Sequence, residues 1–284
     1  MVKLNGCNVV KGRFPNNEVD YEPWSFSPFP MCLSTDSWNT FTLIFESNED
    51  LFNLQMVKKM YDDRYIGNSK TRLDIHYFPY CQMDRKMYSH GFSLKYVTQI
   101  INELKFDMVK VYDPHSNVLP ALLNRCKEYY PIKDFLIDEA CSDDGLLWDL
   151  LFYPDNGAAK KYSEILNEPY RFGNKKRNLD TGEIVCYEVI ADKADIEGKR
   201  ILIVDDMVMG GRTFVEAAKA LREMGASRVD LYVTHLKPES RKFYNTKGNG
   251  LIDKIYSPDT LWQHLLRSCL ARRLSQSLWQ RISL

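Results

Sequence analysis

Short apolar runs alternate along the chain with longer amphipathic stretches. Runs rich in β-branched and aromatic residues predict strands at 40–45, 73–78, 108–112, 184–190, 201–204 and 229–234. Apolar residues at helical spacing predict helices over 51–61, 93–104 and 213–224. Strands that alternate with helices in this way indicate an α/β fold with mostly parallel sheets and helices on both faces.

The same alternation occurs in both halves of the chain, so we expect two α/β domains. We place their boundary near 130–140, around Tyr130 and Pro131, which gives predicted domains of 1–135 and 136–260. Residues 261–284 carry leucines and a tryptophan at helical spacing with arginines between them. This pattern predicts a helical C-terminal tail that docks on the N-terminal half or forms a subunit contact.

Composition narrows the class of protein. The 284 residues include 38 basic and 38 acidic side chains, so the formal net charge is zero. This balance argues against a general nucleic-acid binder, which usually carries a basic surplus. No stretch approaches the ~18 continuous apolar residues of a membrane span, and the first residues lack a signal-peptide pattern. The seven cysteines are scattered without zinc-ligand spacing, so we expect reduced thiols in a cytoplasmic protein.

The segment at 200–213 carries the clearest chemistry. An apolar strand leads into Asp205 and Asp206, and a Gly210-Gly211 turn opens the next helix. Ligands of parallel α/β sheets bind at the carboxyl ends of strands. Glycines let backbone N–H groups approach a phosphate at the helix N-terminus, and the carboxylates suit ribose hydroxyls or a hydrated magnesium ion. An acidic capping turn without a ligand is the alternative interpretation.

This segment resembles the phosphoribosyl-diphosphate loop of type I phosphoribosyltransferases and of phosphoribosyl-diphosphate (ribose-phosphate) synthetases. Further segments similar to those of the synthetases occur in the family's order at 14–18, 78–86, 112–116 and 153–160. A basic run at 174–178 stands where the family has its catalytic Lys-x-Arg. The resemblance to the synthetase family covers about residues 12–236 and implies two type I phosphoribosyltransferase-like (Rossmann-like) domains with mostly parallel sheets.

The resemblance also implies an activity, the transfer of the β,γ-diphosphate of ATP to the ribose 1-hydroxyl of a phosphorylated sugar, with Mg²⁺ as cofactor. The implied catalytic residues, which would close over the phosphoryl group under attack, are Lys175 and Arg177. The implied ATP-binding residues are Phe14, Asn16, Glu18, Gln82, Asp84 and Arg85. The implied metal-side residues are His115 and Asp155. The implied ribose- and phosphate-binding residues are Asp205, Asp206, Met209, Gly210, Gly211, Arg212 and Thr213.

The loop that carries Phe14 reaches the adenine of a neighbouring subunit in this family, which implies a homodimer or a larger homo-oligomer. The nucleotide stretch departs from the family pattern, because Gln82 and Met83 stand where the family has Arg and Gln. A guanidinium that would face ATP is thereby replaced by a neutral amide, and Arg85 or Lys86 would have to supply the charge.

The phosphate loop departs further from the family. Met209 and Gly210 stand where the family has an acidic residue and a threonine, and Arg212 takes a glycine position. A more cationic and roomier loop suits a 5′-diphosphate ester better than a single phosphate. We therefore favour ADP-ribose, the acceptor of phage-type relatives that make ADP-ribose 1-diphosphate for NAD salvage, over ribose 5-phosphate. A phosphoribosyltransferase and a non-catalytic regulatory homologue are the alternatives to this class of enzyme.

Overall fold

The structure, a computed structural model, describes residues 1–22, 38–65, 70–86, 90–140, 147–177, 184–237, 240–258 and 279–281. For residues 140, 176–177, 184–186, 241 and 279–281 it describes the backbone alone. The chain divides into two compact units, Met1–Tyr129 and Tyr130–Leu284. Each unit has its own mostly parallel sheet, which confirms the predicted α/β class.

The first unit is built on a six-stranded sheet of order β2-β1-β5-β6-β7-β8. Its elements are β1 (Val2–Leu4), β2 (Cys7–Asn8), β3 (Val10–Arg13), β4 (Val19–Tyr21), β5 (Trp38–Leu43), α1 (Asn48–Arg64), β6 (Lys70–Ile75), α2 (Ser93–Glu103), β7 (Met108–Tyr112), α3 (Val118–Leu122) and β8 (Cys126–Tyr129). Strands β5 to β8 run parallel, and β1 and β2 join antiparallel at one edge. Strands β3 and β4 form a separate antiparallel hairpin.

Burial alternates along the parallel strands of the first unit. Phe41 and Val109 are buried, whereas the adjacent Thr40 and Lys110 are half-buried. Because strand side chains alternate between faces, the buried apolar side chains of these strands share one face. The ring of Tyr61 lies 5.3 Å from that of Phe41, so α1 packs on this face. On the opposite face the ring of Tyr112 packs at 4.6 Å from that of His76 and at 5.0 Å from that of Tyr129.

The second unit is built on a seven-stranded sheet of order β11-β10-β9-β12-β13-β14-β15. Its elements are α4 (Pro131–Ala140), β9 (Leu150–Tyr153), α5 (Asn156–Leu166), β10 (Tyr170–Arg177), β11 (Ile184–Ile190), α6 (Lys193–Ile196), β12 (Arg200–Val208), α7 (Arg212–Glu223), β13 (Arg228–Leu236), α8 (Arg241–Thr246), β14 (Lys254–Pro258) and β15 (Trp279–Arg281). The four pairings from β10 to β14 are parallel, and β11 and β15 lie antiparallel at the two edges.

Both faces of the second sheet carry an apolar core, as predicted. Ile201 and Ile203 of β12 belong to the cluster that includes Phe214 of α7. Leu202 and Val204 belong to the opposite cluster, which contains apolar residues of α4 and α5. Since successive side chains of a strand point to opposite faces, β12 is the central strand of a three-layer unit.

The division between the units falls at Tyr129 and Tyr130, beside the Tyr130 and Pro131 around which we placed it and a few residues before the domain limit of 135/136. Pro131 begins α4, and its residues Ile132 and Phe135 are buried in a core of the second unit. The helix therefore packs with the sheet that follows it.

The tail predicted as a helix over 261–284 lies outside the described residues, apart from 279–281. Those three residues form β15, which pairs antiparallel with β14. The unpaired backbone groups of an edge strand explain why this segment is extended and not helical. Among the described helices, none combines the length and the apolar character needed to cross a membrane.

Candidate functional site

The turn after β9 holds the first charged pair of the second unit. Asp155 caps α5, and its side chain accepts a 3.0 Å hydrogen bond from the backbone N–H of Ala158. The ammonium of Lys175 donates to the other carboxylate oxygen. Burial opposes the charge on Asp155, but the bonds from Lys175 and Ala158 outweigh it and lower the pKa of Asp155. The two predicted site residues are thus in direct contact.

Lys175 is carried by a hairpin that projects beyond the sheet. Strand β10 pairs with β9 only over residues 170–172, where β9 ends. From Gly173 onward β10 pairs with β11 alone. We call residues 173–177 and 184–189 the hairpin arm. Arg177 ends β10, and its side chain lies outside the described residues, so its predicted role stays a prediction.

Tyr187 lies opposite Lys175 in the hairpin arm. Its hydroxyl donates a 3.0 Å hydrogen bond to the backbone oxygen of Pro154, the residue before Asp155. Burial, followed by the charges of Asp155 and Asp205, raises the pKa of Tyr187, so the hydroxyl keeps its proton. Tyr187 was not among the predicted site residues, because within strand 184–190 nothing distinguishes a tyrosine at the site from one that packs in a sheet.

The acidic pair lies inside β12. The strand continues past its predicted end at 204 because it pairs with β13 as far as Val208. The backbone N–H of Asp206 donates a 2.9 Å hydrogen bond to a carboxylate oxygen of Asp205. Burial, then the charges of Asp206 and Asp155, raises the pKa of Asp205 well above its ordinary value. Three carboxylates of the second unit therefore interact through their charges.

This concentration of acidic charge fits a bound cation, which would stabilise the ionised form of Asp205. The described residues contain no group of three or more His, Cys, Asp and Glu side chains arranged to hold a metal by themselves. Magnesium commonly binds through one or two carboxylates, with waters and substrate phosphates as its other ligands. Asp155, Asp205 and Asp206 are compatible with such an open site.

The loop after β12 leads directly into α7. Gly211 has φ of 78°, and a Cβ there would come within 2.2 Å of the Phe243 ring, so the position needs glycine on two grounds. Arg212 is the exposed first residue of α7, and Thr213 follows it half-buried. Met209 is 40% exposed. The N-terminus of α7 is thus accessible beside the acidic pair and can accept an anion.

Phe14 lies at the tip of the β3–β4 hairpin of the first unit, half exposed at 51%. The N–H of Phe14 donates to the carbonyl of Glu18 over 2.9 Å, and the N–H of Glu18 donates to Oδ1 of Asn16 over 3.2 Å. The three predicted residues of this loop therefore form one turn. An exposed aromatic ring on a closed turn is available to stack on a base.

The nucleotide stretch and the segment with His115 also meet within the first unit. The hydroxyl of Ser116 donates a 2.7 Å hydrogen bond to Asp84. Gln82 and Arg85 are exposed, and His115 is half-buried. The loops after β6 and β7 are therefore joined at the carboxyl ends of their strands, the edge at which α/β sheets bind ligands.

One turn of α1 contacts both of these elements. The hydroxyl of Tyr80 donates a 2.7 Å hydrogen bond to the side-chain oxygen of Asn48. The guanidinium of Arg13, next to Phe14, binds the carboxylate of Glu49. Asn48 and Glu49 are adjacent, so the Phe14 loop and the nucleotide stretch of one chain attach to the same turn.

Each unit thus brings together some of the predicted site residues. Asp155, Lys175 and the acidic pair gather in the second unit, and Asp84 meets the segment of His115 in the first. The described contacts place these residues without testing their roles, which stay predictions.

Comparison with known proteins agrees with this architecture. Residues 157–253 match the phosphoribosyl transferase domain family. A crystal structure of phosphoribosylpyrophosphate synthetase from Mycobacterium smegmatis has the same fold, with a TM-score of 0.61 and 19% identity over 84% of this chain and 78% of that one.

The chain is also similar in sequence to curated ribose-phosphate pyrophosphokinases. A ribose-phosphate pyrophosphokinase of Marinomonas sp. is 28% identical over 81% of this chain and 73% of its own length. Those of Pyrococcus furiosus and Saccharolobus solfataricus are 33% and 29% identical over 61% of this chain. These two matches span 61% and 60% of the relatives' own lengths. The chain is thus similar in sequence to ribose-phosphate pyrophosphokinases and shares the fold of a phosphoribosylpyrophosphate synthetase.

Proposed function

We propose that the protein is an ATP-dependent diphosphokinase that transfers the β,γ-diphosphate of ATP to the ribose 1-hydroxyl of an acceptor. The observation that carries the proposal is the contact between Lys175 and Asp155, with Asp205 interacting electrostatically with Asp155. A cationic side chain beside carboxylates and an accessible helix N-terminus suit phosphoryl transfer, because this chemistry depends on positioning and charge neutralisation.

In the proposed reaction the oxygen of the ribose 1-hydroxyl attacks the β-phosphorus of ATP. The bond from that phosphorus to the α,β-bridging oxygen breaks, AMP leaves, and the hydroxyl proton passes to solvent or a nearby base. Lys175, and Arg177 by family resemblance, would stabilise the charge on the transferring group. Asp205 and Asp206 would orient the ribose hydroxyls, and in-line alignment of the reactants would supply much of the acceleration.

Mg²⁺ would be held near Asp155, Asp205 and Asp206, with His115 as a metal-side residue by family resemblance. When bound, the ion neutralises phosphate charge and orients the triphosphate. The protein's own contribution is to gather the carboxylates and to keep the cationic side chain within reach of them.

We favour ADP-ribose as the acceptor, with a product that would serve NAD salvage. A Cβ at Gly210 would meet no atom within 4 Å, and Arg212 is exposed at the start of α7. Space beside the loop and an added guanidinium suit a diphosphate ester, because a guanidinium binds phosphate oxygens in pairs. Ribose 5-phosphate is the alternative acceptor. We further propose a cytoplasmic homodimer or larger homo-oligomer that acts on these small molecules.

The test is an end-point assay of the purified protein with ATP, Mg²⁺ and either acceptor, in which AMP is quantified by chromatography and the product by ³¹P NMR. We expect AMP and a 1-diphosphate product to form in equal amounts, faster with ADP-ribose. Turnover of ribose 5-phosphate alone would overturn the preferred acceptor. Consumption of a sugar 1-diphosphate without any ATP requirement would favour a phosphoribosyltransferase, and no turnover at all a regulatory homologue.

Arg212→Ala tests the loop argument. We expect KM for ADP-ribose to rise about 10- to 150-fold, since a charge-assisted bond contributes about 1.5–3 kcal/mol, with a smaller change for ribose 5-phosphate. Lys219→Ala is the matched control, because Lys219 is an exposed cation of α7 that pairs with Glu223. Equal losses for both acceptors would contradict a role in selecting the diphosphate.

A further inference from the structure

Two contacts join the hairpin arm to the turn after β9. One is the ion pair between Lys175 and Asp155, and the other is the hydrogen bond from Tyr187 to the backbone oxygen of Pro154. Lys175 and Tyr187 are opposite each other in the register of the arm. Paired residues of an antiparallel ladder project from the same face, so both contacts lie on one side of the arm.

Gly173 makes room for the second contact. A Cβ at this position would lie 2.0 Å from the Tyr187 hydroxyl oxygen and 2.4 Å from the ring carbon that bears it. Gly173 and Lys175 are two residues apart on β10 and share a face. The Tyr187 ring therefore crosses the strand over Gly173 to reach Pro154, a path that any side chain there would block.

The Lys175–Asp155 ion pair and the Tyr187–Pro154 hydrogen bond would differ in whether they persist during the proposed reaction. In the proposed reaction Lys175 must leave Asp155 to reach the transferring diphosphate, and the ion pair is then lost. The bond from the Tyr187 hydroxyl to the backbone oxygen of Pro154 does not involve the Lys175 side chain, so it can persist while Lys175 moves. We propose that Tyr187 is a positioning residue for Lys175. Its bond to Pro154 holds the Gly173 end of the hairpin arm on the Pro154–Asp155 turn during transfer.

This inference rests on the proposed function. The charge environment is consistent with it, because burial and the neighbouring carboxylates favour the neutral phenol. A neutral hydroxyl donates to a carbonyl, whereas a phenolate could not. The raised pKa of Tyr187 therefore keeps the proton that this bond needs.

Tyr187→Phe removes the hydroxyl and keeps the ring over Gly173. We expect kcat to fall about tenfold with KM for ATP nearly unchanged, because an interaction that matters in the transition state affects kcat. The matched control is Tyr153→Phe, since Tyr153 is a buried tyrosine of β9 whose hydroxyl has no hydrogen-bond partner in the described part of the chain. We expect the control to keep the wild-type kcat.

A double-mutant cycle separates positioning from general structural support. If Tyr187 acts through Lys175, the Tyr187→Phe change causes no further loss in a Lys175→Ala background. A loss of the same size in both backgrounds, or a Tyr187→Phe enzyme with wild-type kcat and KM, would overturn the inference while leaving the proposed function intact. A wild-type protein that forms no AMP with either acceptor would instead reject the proposed function, and the inference with it.

Discussion

Gly173 and Tyr187 lie in contact in the hairpin arm, and no sequence motif points to either residue. The acidic pair was proposed as a site from its place at the end of a strand, and Lys175 from the family resemblance; the roles of these residues stay predictions. The contacts of Tyr187 were not predictable, since they are a bond to a backbone oxygen and a close approach to a glycine. These contacts form only when β9, β10 and β11 pack together in the folded protein.

Gly173→Ala is expected to destabilise the fold by about 1–3 kcal/mol, the usual cost of forcing extra volume into a packed place. The added Cβ would overlap the Tyr187 hydroxyl. Thermal unfolding measures the effect, and Gly210→Ala is the control, because a Cβ there meets no atom within 4 Å. Equal stability of the two variants would contradict the close approach of Tyr187.

Asp205→Asn is expected to stabilise the metal-free protein increasingly as pH rises above about 4. The pKa of Asp205 is raised in the folded state by burial, Asp206 and Asp155. The folded state therefore holds its proton more tightly than the unfolded chain, so ionisation above the unfolded pKa costs stability until the folded pKa is passed. Urea unfolding of both proteins between pH 4 and 8 tests this, and a pH-independent difference would contradict it.

At the scale of elements, several boundaries were predictable and others depended on tertiary pairing. Residues 108–112 and 184–190 form the predicted strands β7 and β11. Strand β12 runs past its predicted end because its backbone pairs with β13 through Val208. Local composition cannot reveal such an extension, since Asp205 and Asp206 are poor strand formers and are held extended by their neighbours.

The loop before α7 can be tested at Gly211, the residue that precedes the helix. Gly211→Ala places a Cβ against Phe243 at a positive φ, so the loop must shift. We expect a loss of about 1–3 kcal/mol in stability together with a higher KM for the acceptor. Calorimetry and initial-rate kinetics measure the two effects. An acceptor KM equal to that of the wild type would show that the loop does not form the phosphate site.

At the scale of the whole molecule, the two-unit organisation followed from the repeated strand–helix alternation. The division lies at Tyr130 because α4 begins at Pro131 and packs into the second unit. The extended segment Trp279–Arg281 was unpredictable from its helical spacing, because the edge of β14 supplies its partner.

Assembly can be tested with two inactive variants. If the exposed Phe14 serves a neighbouring subunit, co-expressed Phe14→Ala and Lys175→Ala chains form mixed dimers with one intact site, and activity recovers to about a quarter of wild type. Each variant expressed alone is expected to be nearly inactive in the AMP assay. If Phe14 instead serves its own chain, the mixed preparation stays at the mean of the two variants.

The packing of strand β12 affects how the proposed activity could change. Ile203 and Val204, the residues just before the acidic pair, belong to cores on opposite faces of the sheet. Repacking either core would shift the strand that carries Asp205 and Asp206, because close-packed interiors transmit small displacements. Laboratory evolution for a new acceptor should therefore recover apolar substitutions on both faces of the second sheet, far from any contact with the sugar.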